Sequence, residues 1–262
     1  MPKAEFASAV DNKKLTFPLD PPKGSRLLGK LRYCWSWFVA GVMLLFIATP
    51  ALLFLSIINR RIWLYPLALW GARTWLVASG VTVKVTGLEH LDPDTQYVFA
   101  SNHRSYLDTA ALFAHSGRRM GLVAKKELLK VPVLGQGMGF VNIIAIDRSN
   151  PERARRSMEN ARQVMKDGYS FGVFVEGTRA MPGELLPFKK GAFHLALQTE
   201  APIVPVAIKN TDRLMGKHTG VAYPGEMEMV LLPPIETKGR TVDELLLEAR
   251  AAIAAVLSEP PA

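Results

Sequence analysis

The chain has 262 residues, enough for one catalytic-sized domain with an appendage and a substantial buried core. Its hydrophobic share of 49% stands beside 32 Lys and Arg against 23 Asp and Glu, a formal net charge of +9 that suits a partner both apolar and anionic, such as a membrane with acidic headgroups. No Cys/His finger or basic zipper region is present, so nucleic acid is not expected as a partner. The single cysteine, Cys34, excludes an internal disulfide framework and agrees with a reducing compartment.

Residues 1–25 read as a polar, proline-containing arm, mobile or lying on the surface, and residues 26–80 as a membrane-associated helical region. Within the latter, Tyr33 to Ile58 carries no charge, and a run of more than about 20 apolar residues can cross a bilayer. Lys23, Arg26, Lys30 and Arg32 precede it and Arg60 and Arg61 follow, so the flanks set no orientation. Thr49-Pro50 interrupts the run, where a proline can kink a helix or divide it in two. A single span and a re-entrant hairpin entering from one leaflet both fit, the second being preferred. A cleaved signal peptide would need a shorter core and a small-residue exit. A buried core helix would not explain the aromatic cluster Tyr33, Trp35, Trp37 and Phe38 at one end, which suits an interface. Ile62 to Ser79, with Trp63, Tyr65, Trp70, Arg73 and Trp75 interspersed, fits a helix along the headgroup boundary or one packed on the domain.

From Val81 the pattern changes, and residues 81–262 read as an α/β domain. Strands are expected at Val81–Thr86, Tyr97–Ser101, Gly121–Ala124, Asn142–Ile146, Phe171–Glu176, Ile203–Lys209 and Glu228–Leu232. Helices are expected at Tyr106–His115, Pro151–Lys166, Gly191–Thr199 and Val242–Leu257, with Pro151 opening one and Gly168 closing it. The alternation predicts a mixed, mostly buried β-sheet flanked by helices, behind the apolar helical attachment region.

Two stretches carry the chemistry. His103 follows a strand, with Asp108 five residues on. Inside one helix the pair would point about 140° apart. With His103 in the turn before the helix and Asp108 in its first turn they can meet, the carboxylate fixing the tautomer and leaving the other ring nitrogen as a base. Ser105-Tyr106-Leu107-Asp108 equally matches a capping box, which would make Asp108 a helix cap. Glu176-Gly177-Thr178-Arg179 closes another strand and offers a turn-permitting glycine, a hydroxyl and a planar fork suited to phosphate. Arg148, beside Asp147, and Lys189 with Lys190 are further candidate cations. Gly168-x-Ser170-x-Gly172 matches a hydrolase elbow, but that elbow needs a strand before the serine and a helix after it, the reverse of the order here. No metal-ligand spacing and no phosphate-binding Walker loop stands out.

The chain resembles the bacterial 1-acyl-sn-glycerol-3-phosphate acyltransferases of the glycerolipid acyltransferase family. Asn102, His103 and Asp108 match the N-H-x4-D element. Val131–Gly135 through Ile146-Asp147-Arg148 is similar to the second block, Phe174–Arg179 to the third (F-P-E-G-T-R) and Ala201–Val206 to the fourth. Val175 stands in place of the usual proline and Ala180 in place of a common serine. The resemblance implies transfer of an acyl group from a thioester of coenzyme A or acyl carrier protein to the sn-2 hydroxyl of lysophosphatidic acid, giving phosphatidic acid with no cofactor and no metal. It implies His103 as base oriented by Asp108, and Gly177, Thr178 and Arg179 as the phosphate clamp. Arg148 would assist, and Glu176, counted with these substrate-binding residues, would brace the loop. It places the enzyme at the inner membrane, the domain on the cytoplasmic face. An acyltransferase for another glycerolipid or lyso-lipid acceptor would keep His103 and Asp108. A noncatalytic lipid-binding protein would tolerate loss of His103.

Overall fold

The computed structural model describes residues 11–20, 24–58, 63–125, 130, 134–138, 142–146 and 151–259. The uncharged N-terminal run folds as one continuous helix, α1 (Arg26–Met43) passing through a wide turn at Leu44–Ala48 into α2 (Thr49–Ile57). Pro50 does not divide it, contrary to the expected interruption. A proline donates no N–H and crowds the carbonyl one turn back. The wide turn relieves that crowding by re-spacing the ladder. The Thr49 amide reaches back five residues to the Leu44 carbonyl, which also accepts from Thr49 Oγ1 at 2.9 Å. Arg26–Ile57 is long and apolar enough to cross a bilayer, and its most apolar window is unburied.

α3 (Leu64–Ala78) packs antiparallel along the first helix and joins it to the domain. Trp75 Nε1 donates to the Ser36 carbonyl at 2.9 Å on one side. On the other, Tyr65 and Leu76 are buried and Arg73 donates twice to the Ala114 carbonyl, at 3.0 and 3.3 Å. Packing on the domain therefore describes one face of α3, while Trp63, Trp70 and Val77 stay exposed on the rest.

The remaining elements are β1 (Leu15–Thr16), β2 (Val81–Thr86), β3 (Val98–Ser101), α4 (Tyr106–His115), β4 (Met120–Lys125), α5 (Leu134–Met138), β5 (Ile143–Ile146), α6 (Pro151–Lys166), β6 (Ser170–Phe174), β7 (Glu184–Leu185), α7 (Gly191–Thr199), β8 (Ile203–Lys209), α8 (Thr211–Met215), β9 (Gly225–Leu231) and α9 (Val242–Ser258). Among the described residues seven strands form one mixed sheet in the order β2-β9-β8-β3-β6-β4-β5, antiparallel at β8–β9 and parallel elsewhere. Every residue of β3 and β8 is buried, as parallel strands covered on both faces require. One apolar layer joins Leu76, Leu107 and Leu112 to Phe99, Val206 and Met229. The other joins α6, α7 and α9 through Met165, Phe193 and Ile253 to Ala100, Phe171 and Ile203.

Part of the N-terminal arm is stitched down rather than merely lying on the surface. β1 pairs antiparallel with β7, and the Asn12 side chain makes a pair of bonds to the Phe188 backbone, 2.9 and 2.6 Å. Beneath it the fully buried Arg250 of α9 donates to the carbonyls of Asp11 (3.3 Å), Leu186 (2.7 Å) and Lys13.

Candidate active site

β3 and β6 are parallel neighbours with Ser101 opposite Phe174, so the chain leaves both strands at the same edge of the sheet. Asn102, fully buried, continues the β3–β8 pairing with its side chain, donating to the Ile208 carbonyl at 3.0 Å and accepting from the Ile208 amide at 2.8 Å. His103 and Glu176 then stand two residues beyond their respective strands, the position where open α/β sheets gather ligand-binding groups.

Asp108 makes both the capping contacts and the contact with His103. Ser105 and Asp108 form the capping box of α4, Ser105 Oγ accepting from the Leu107 amide at 3.2 Å. Asp108 Oδ2 accepts from the amides of Arg104 (2.6 Å) and Ser105 (2.7 Å) and from His103 Nδ1 (2.9 Å). The same contacts that start the helix thus fix a fully buried carboxylate at the imidazole. With Nδ1–H donated to it, Nε2 is the ring nitrogen left to accept a proton. The ring face rests on Phe174, the last residue of β6, at 3.9 Å and 16°.

The 176–180 segment holds the His103 backbone from both sides. Glu176 Oε1 accepts from the His103 amide at 2.6 Å, and the Ala180 amide donates to the His103 carbonyl at 2.7 Å. Glu176 Oε2 accepts from the Leu186 amide at 2.7 Å, tying the loop to the segment carrying β7. Burial pushes the Glu176 carboxyl up to about 7; the Leu186 and His103 amides and the Arg104 charge pull it down, and Asp108 adds a smaller upward push. Gly177 turns the chain at φ 76°, its amide bonded to the Phe174 carbonyl at 3.0 Å, a conformation that favours glycine. Thr178 is exposed, and the Arg179 guanidinium lies over the Tyr106 ring at 3.7 Å.

The structure thus brings together His103, Asp108, Glu176, Gly177, Thr178 and Arg179. Arg148 and Asp147 lie outside the described residues. Lys190 is drawn away into an ion pair with Asp243 at 2.7 Å, and Lys189 is exposed. Ser170 sits at the opposite end of β6 from Glu176, buried, accepting from the Tyr97 amide at 3.1 Å, which is a structural pin and not an elbow nucleophile. Among the described residues no cluster of three or more His, Cys, Asp or Glu is arranged to hold a metal.

Four further neighbours surround these residues without a clear mark in the sequence. Arg104, 5% exposed, donates to the Glu184 carbonyl (2.7 Å) and to Asp212 Oδ2 (3.1 Å), which also accepts from the Gly183 amide at 2.9 Å. Lys217 Nζ donates to the Arg179 carbonyl at 2.6 Å. Tyr106 lies inside the His103–Asp108 element, a placement that could have marked it. Asp212 and Lys217 carry no spacing signal. An apolar cavity of about 340 Å³ also opens between the first helix and α3, lined by Met43, Ile47, Leu67, Trp75, Met138 and Ile143 among others.

Residues 82–209 match the model of the acyltransferase family. A 1-acyl-sn-glycerol-3-phosphate acyltransferase of Limnanthes douglasii is 40% identical over 185 residues, 70% of this chain and 64% of that protein. The chloroplastic 1-acyl-sn-glycerol-3-phosphate acyltransferase BAT2 of Brassica napus is 30% identical over 255 residues, 94% of this chain and 72% of its own length. The chain belongs to the acyltransferase family. The acyltransferase match runs from β2 to the end of β8 and contains His103, Asp108 and Glu176 to Arg179, while Asp212 and Lys217 lie beyond it. The fold agrees: the crystal structure of the 1-acyl-sn-glycerophosphate (LPA) acyltransferase from Thermotoga maritima superposes with a TM-score of 0.77 at 24% identity, over 88% of this chain and 95% of that one. The chain spans just under two thirds of the length of the Limnanthes acyltransferase, at 64%.

Proposed function

We propose that the protein transfers a fatty acyl group from a thioester of coenzyme A or acyl carrier protein to the sn-2 hydroxyl of lysophosphatidic acid, forming phosphatidic acid. The observation that carries this reading is His103, its Nδ1 committed to the buried Asp108 and its backbone gripped by the loop that bears Arg179. Nε2 takes the hydroxyl proton as the oxygen attacks the thioester carbonyl, forming the C–O bond and a tetrahedral oxyanion. Collapse breaks the C–S bond, and the imidazolium returns its proton to the departing sulfur. No covalent enzyme intermediate and no cofactor enters.

Arg179, with Thr178 and Gly177, holds the acceptor phosphate through its planar fork, assisted by Arg148. Glu176 touches no substrate in this scheme; it fixes the loop to His103. Holding two substrates in line supplies much of the rate. Support also comes from the names of the relatives and from the apolar cavity beside α3, a place for a lipid tail. The exposed apolar surface of α1 and α2 seats the protein in the membrane, which we place as the inner membrane with the domain on its cytoplasmic side.

The test is turnover by full-length protein in phospholipid vesicles, with lysophosphatidic acid, glycerol 3-phosphate and lysophosphatidylcholine offered in parallel against both thioesters. Product is expected from lysophosphatidic acid. Arg179→Ala should lower kcat/KM for that acceptor by about 10- to 100-fold, the worth of a charged hydrogen bond. Preference for either other acceptor would reassign the substrate, and turnover indifferent to Arg179→Ala would remove the clamp.

A further inference from the structure

The guanidinium that the proposed reaction sets at the acceptor phosphate is itself supported from below. Arg179 lies 3.7 Å from the centre of the Tyr106 ring, over its face. Tyr106 is the first residue of α4 and remains 41% exposed. The same ring meets Trp37 of α1 edge-on, centroids 5.1 Å apart at 89°. Trp37 contacts Tyr33 (6.1 Å) and Trp75 (5.9 Å), and the Trp75 indole is anchored on the Ser36 carbonyl. An unbroken line of aromatic contacts therefore begins on the N-terminal helical hairpin and ends on the cation.

We propose that Tyr106 is a positioning residue for Arg179 and that Trp37 seats Tyr106, so that docking of the helical hairpin on the domain sets the affinity for the acceptor's phosphate. The inference rests on the reading of Arg179 as the phosphate clamp and adds how that clamp is held. Arginine loses much rotamer freedom when it grips an anion, and a side chain already placed loses less. Stacking leaves the site competent, because an aromatic ring covers the guanidinium face while phosphate binds in the guanidinium plane through the N–H fork. The Lys217 bond to the Arg179 carbonyl fixes the backbone from which that side chain departs. Edge-to-face ring pairs at these separations prefer defined orientations, so a displaced Trp37 would release Tyr106.

The test compares Tyr106→Leu, Tyr106→Phe, Trp37→Leu and the Trp37→Leu/Tyr106→Leu pair with wild type. All are full-length, confirmed folded by thermal unfolding, and assayed in mixed phosphatidylcholine–phosphatidylglycerol vesicles. Tyr106→Leu should raise KM for lysophosphatidic acid about threefold to tenfold, leaving KM for the thioester unmoved, with kcat nearly constant. Tyr106→Phe, which keeps the ring face, should restore the wild-type KM. Trp37→Leu should shift the same KM in the same direction, and the double variant should be no worse than Tyr106→Leu alone, because the two act in series. Binding of a fluorescent-chain lysophosphatidic acid without donor reads the clamp independently of turnover. Binding without turnover would overturn the proposed reaction and leave this inference standing or falling on the Kd values. Absence of binding by wild type would overturn both. Equal changes in the two KM values, a Tyr106→Phe defect matching that of Tyr106→Leu, or an unchanged KM in Tyr106→Leu would each overturn the inference.

Discussion

At the residue scale, Asp108 shows how little the site adds to what the backbone already needs. An N-terminal cap must satisfy orphan amides, and a carboxylate at the third helical position does so here for Arg104 and Ser105. The same oxygen also orients His103. The pair was legible in the sequence because it is local, with both partners within five residues. Asp212 and Lys217 were not, because their contacts with Arg104 and Arg179 span 108 and 38 residues and depend on the fold. Glu176 was legible as a loop brace, though not its state. A carboxyl raised from 4.5 to about 7 by burial gives stability that is fully present below pH 4.5 and is lost as pH rises through 7. In Glu176→Gln one amide hydrogen must face a backbone N–H, which should cost about 1–3 kcal/mol. The stability gap between wild type and Glu176→Gln, from urea unfolding at a series of pH values, should narrow as pH climbs from 4.5 toward 7. A gap that widens over that interval would contradict the assignment.

At the element scale, the four longer helices of the domain were readable nearly to the residue, since Ser105 and Thr241 cap α4 and α9 with capping boxes and Pro151 opens α6, whereas α5 and α8, five residues each, are too short to show a period. The strands were readable to within three residues at each end, their boundaries being set by pairing partners rather than by composition. Pro50 misled because the wide turn that absorbs it is a backbone adjustment with no side-chain signature beyond Thr49. β1 and β7 were invisible, each two residues long and too short to show a period. Yet the arm they secure is part of the site's support, since Arg250 grips both the arm and Leu186, whose amide holds Glu176. Arg250→Met would strip hydrogen bonds from the partly buried carbonyls of Asp11, Lys13 and Leu186. It should destabilise the protein by about 2–4 kcal/mol and make residues near Lys13 newly sensitive to protease. Unchanged melting and proteolysis would show that the arm is held by the β1–β7 pairing and the Asn12–Phe188 bonds without Arg250.

At the scale of the whole molecule, a basic, apolar chain divides its labour. The sheet holds His103 and Glu176 at one edge, while the first helix leaves Phe38, Phe46, Leu53, Phe54 and Ile57 uncovered. A soluble domain rarely exposes so continuous an apolar face, and the composition had already pointed to a membrane surface. A charged residue at the centre of an inserted helix costs about 2.5–3.5 kcal/mol. Phe46→Glu with Phe54→Glu should therefore move the protein from the vesicle pellet to the supernatant in sedimentation, with the melting of the domain unchanged. Retention in the pellet would place the attachment elsewhere on the molecule.

In the proposed reaction His103 deprotonates the acceptor hydroxyl. Phosphatidic acid formation from lysophosphatidic acid and acyl thioester by wild type and by folded His103→Ala, in the same vesicles, tests it most directly. Wild type should form product, and kcat should fall at least about 100-fold in the variant, the usual worth of a positioned base. Turnover by His103→Ala at the wild-type rate would contradict it.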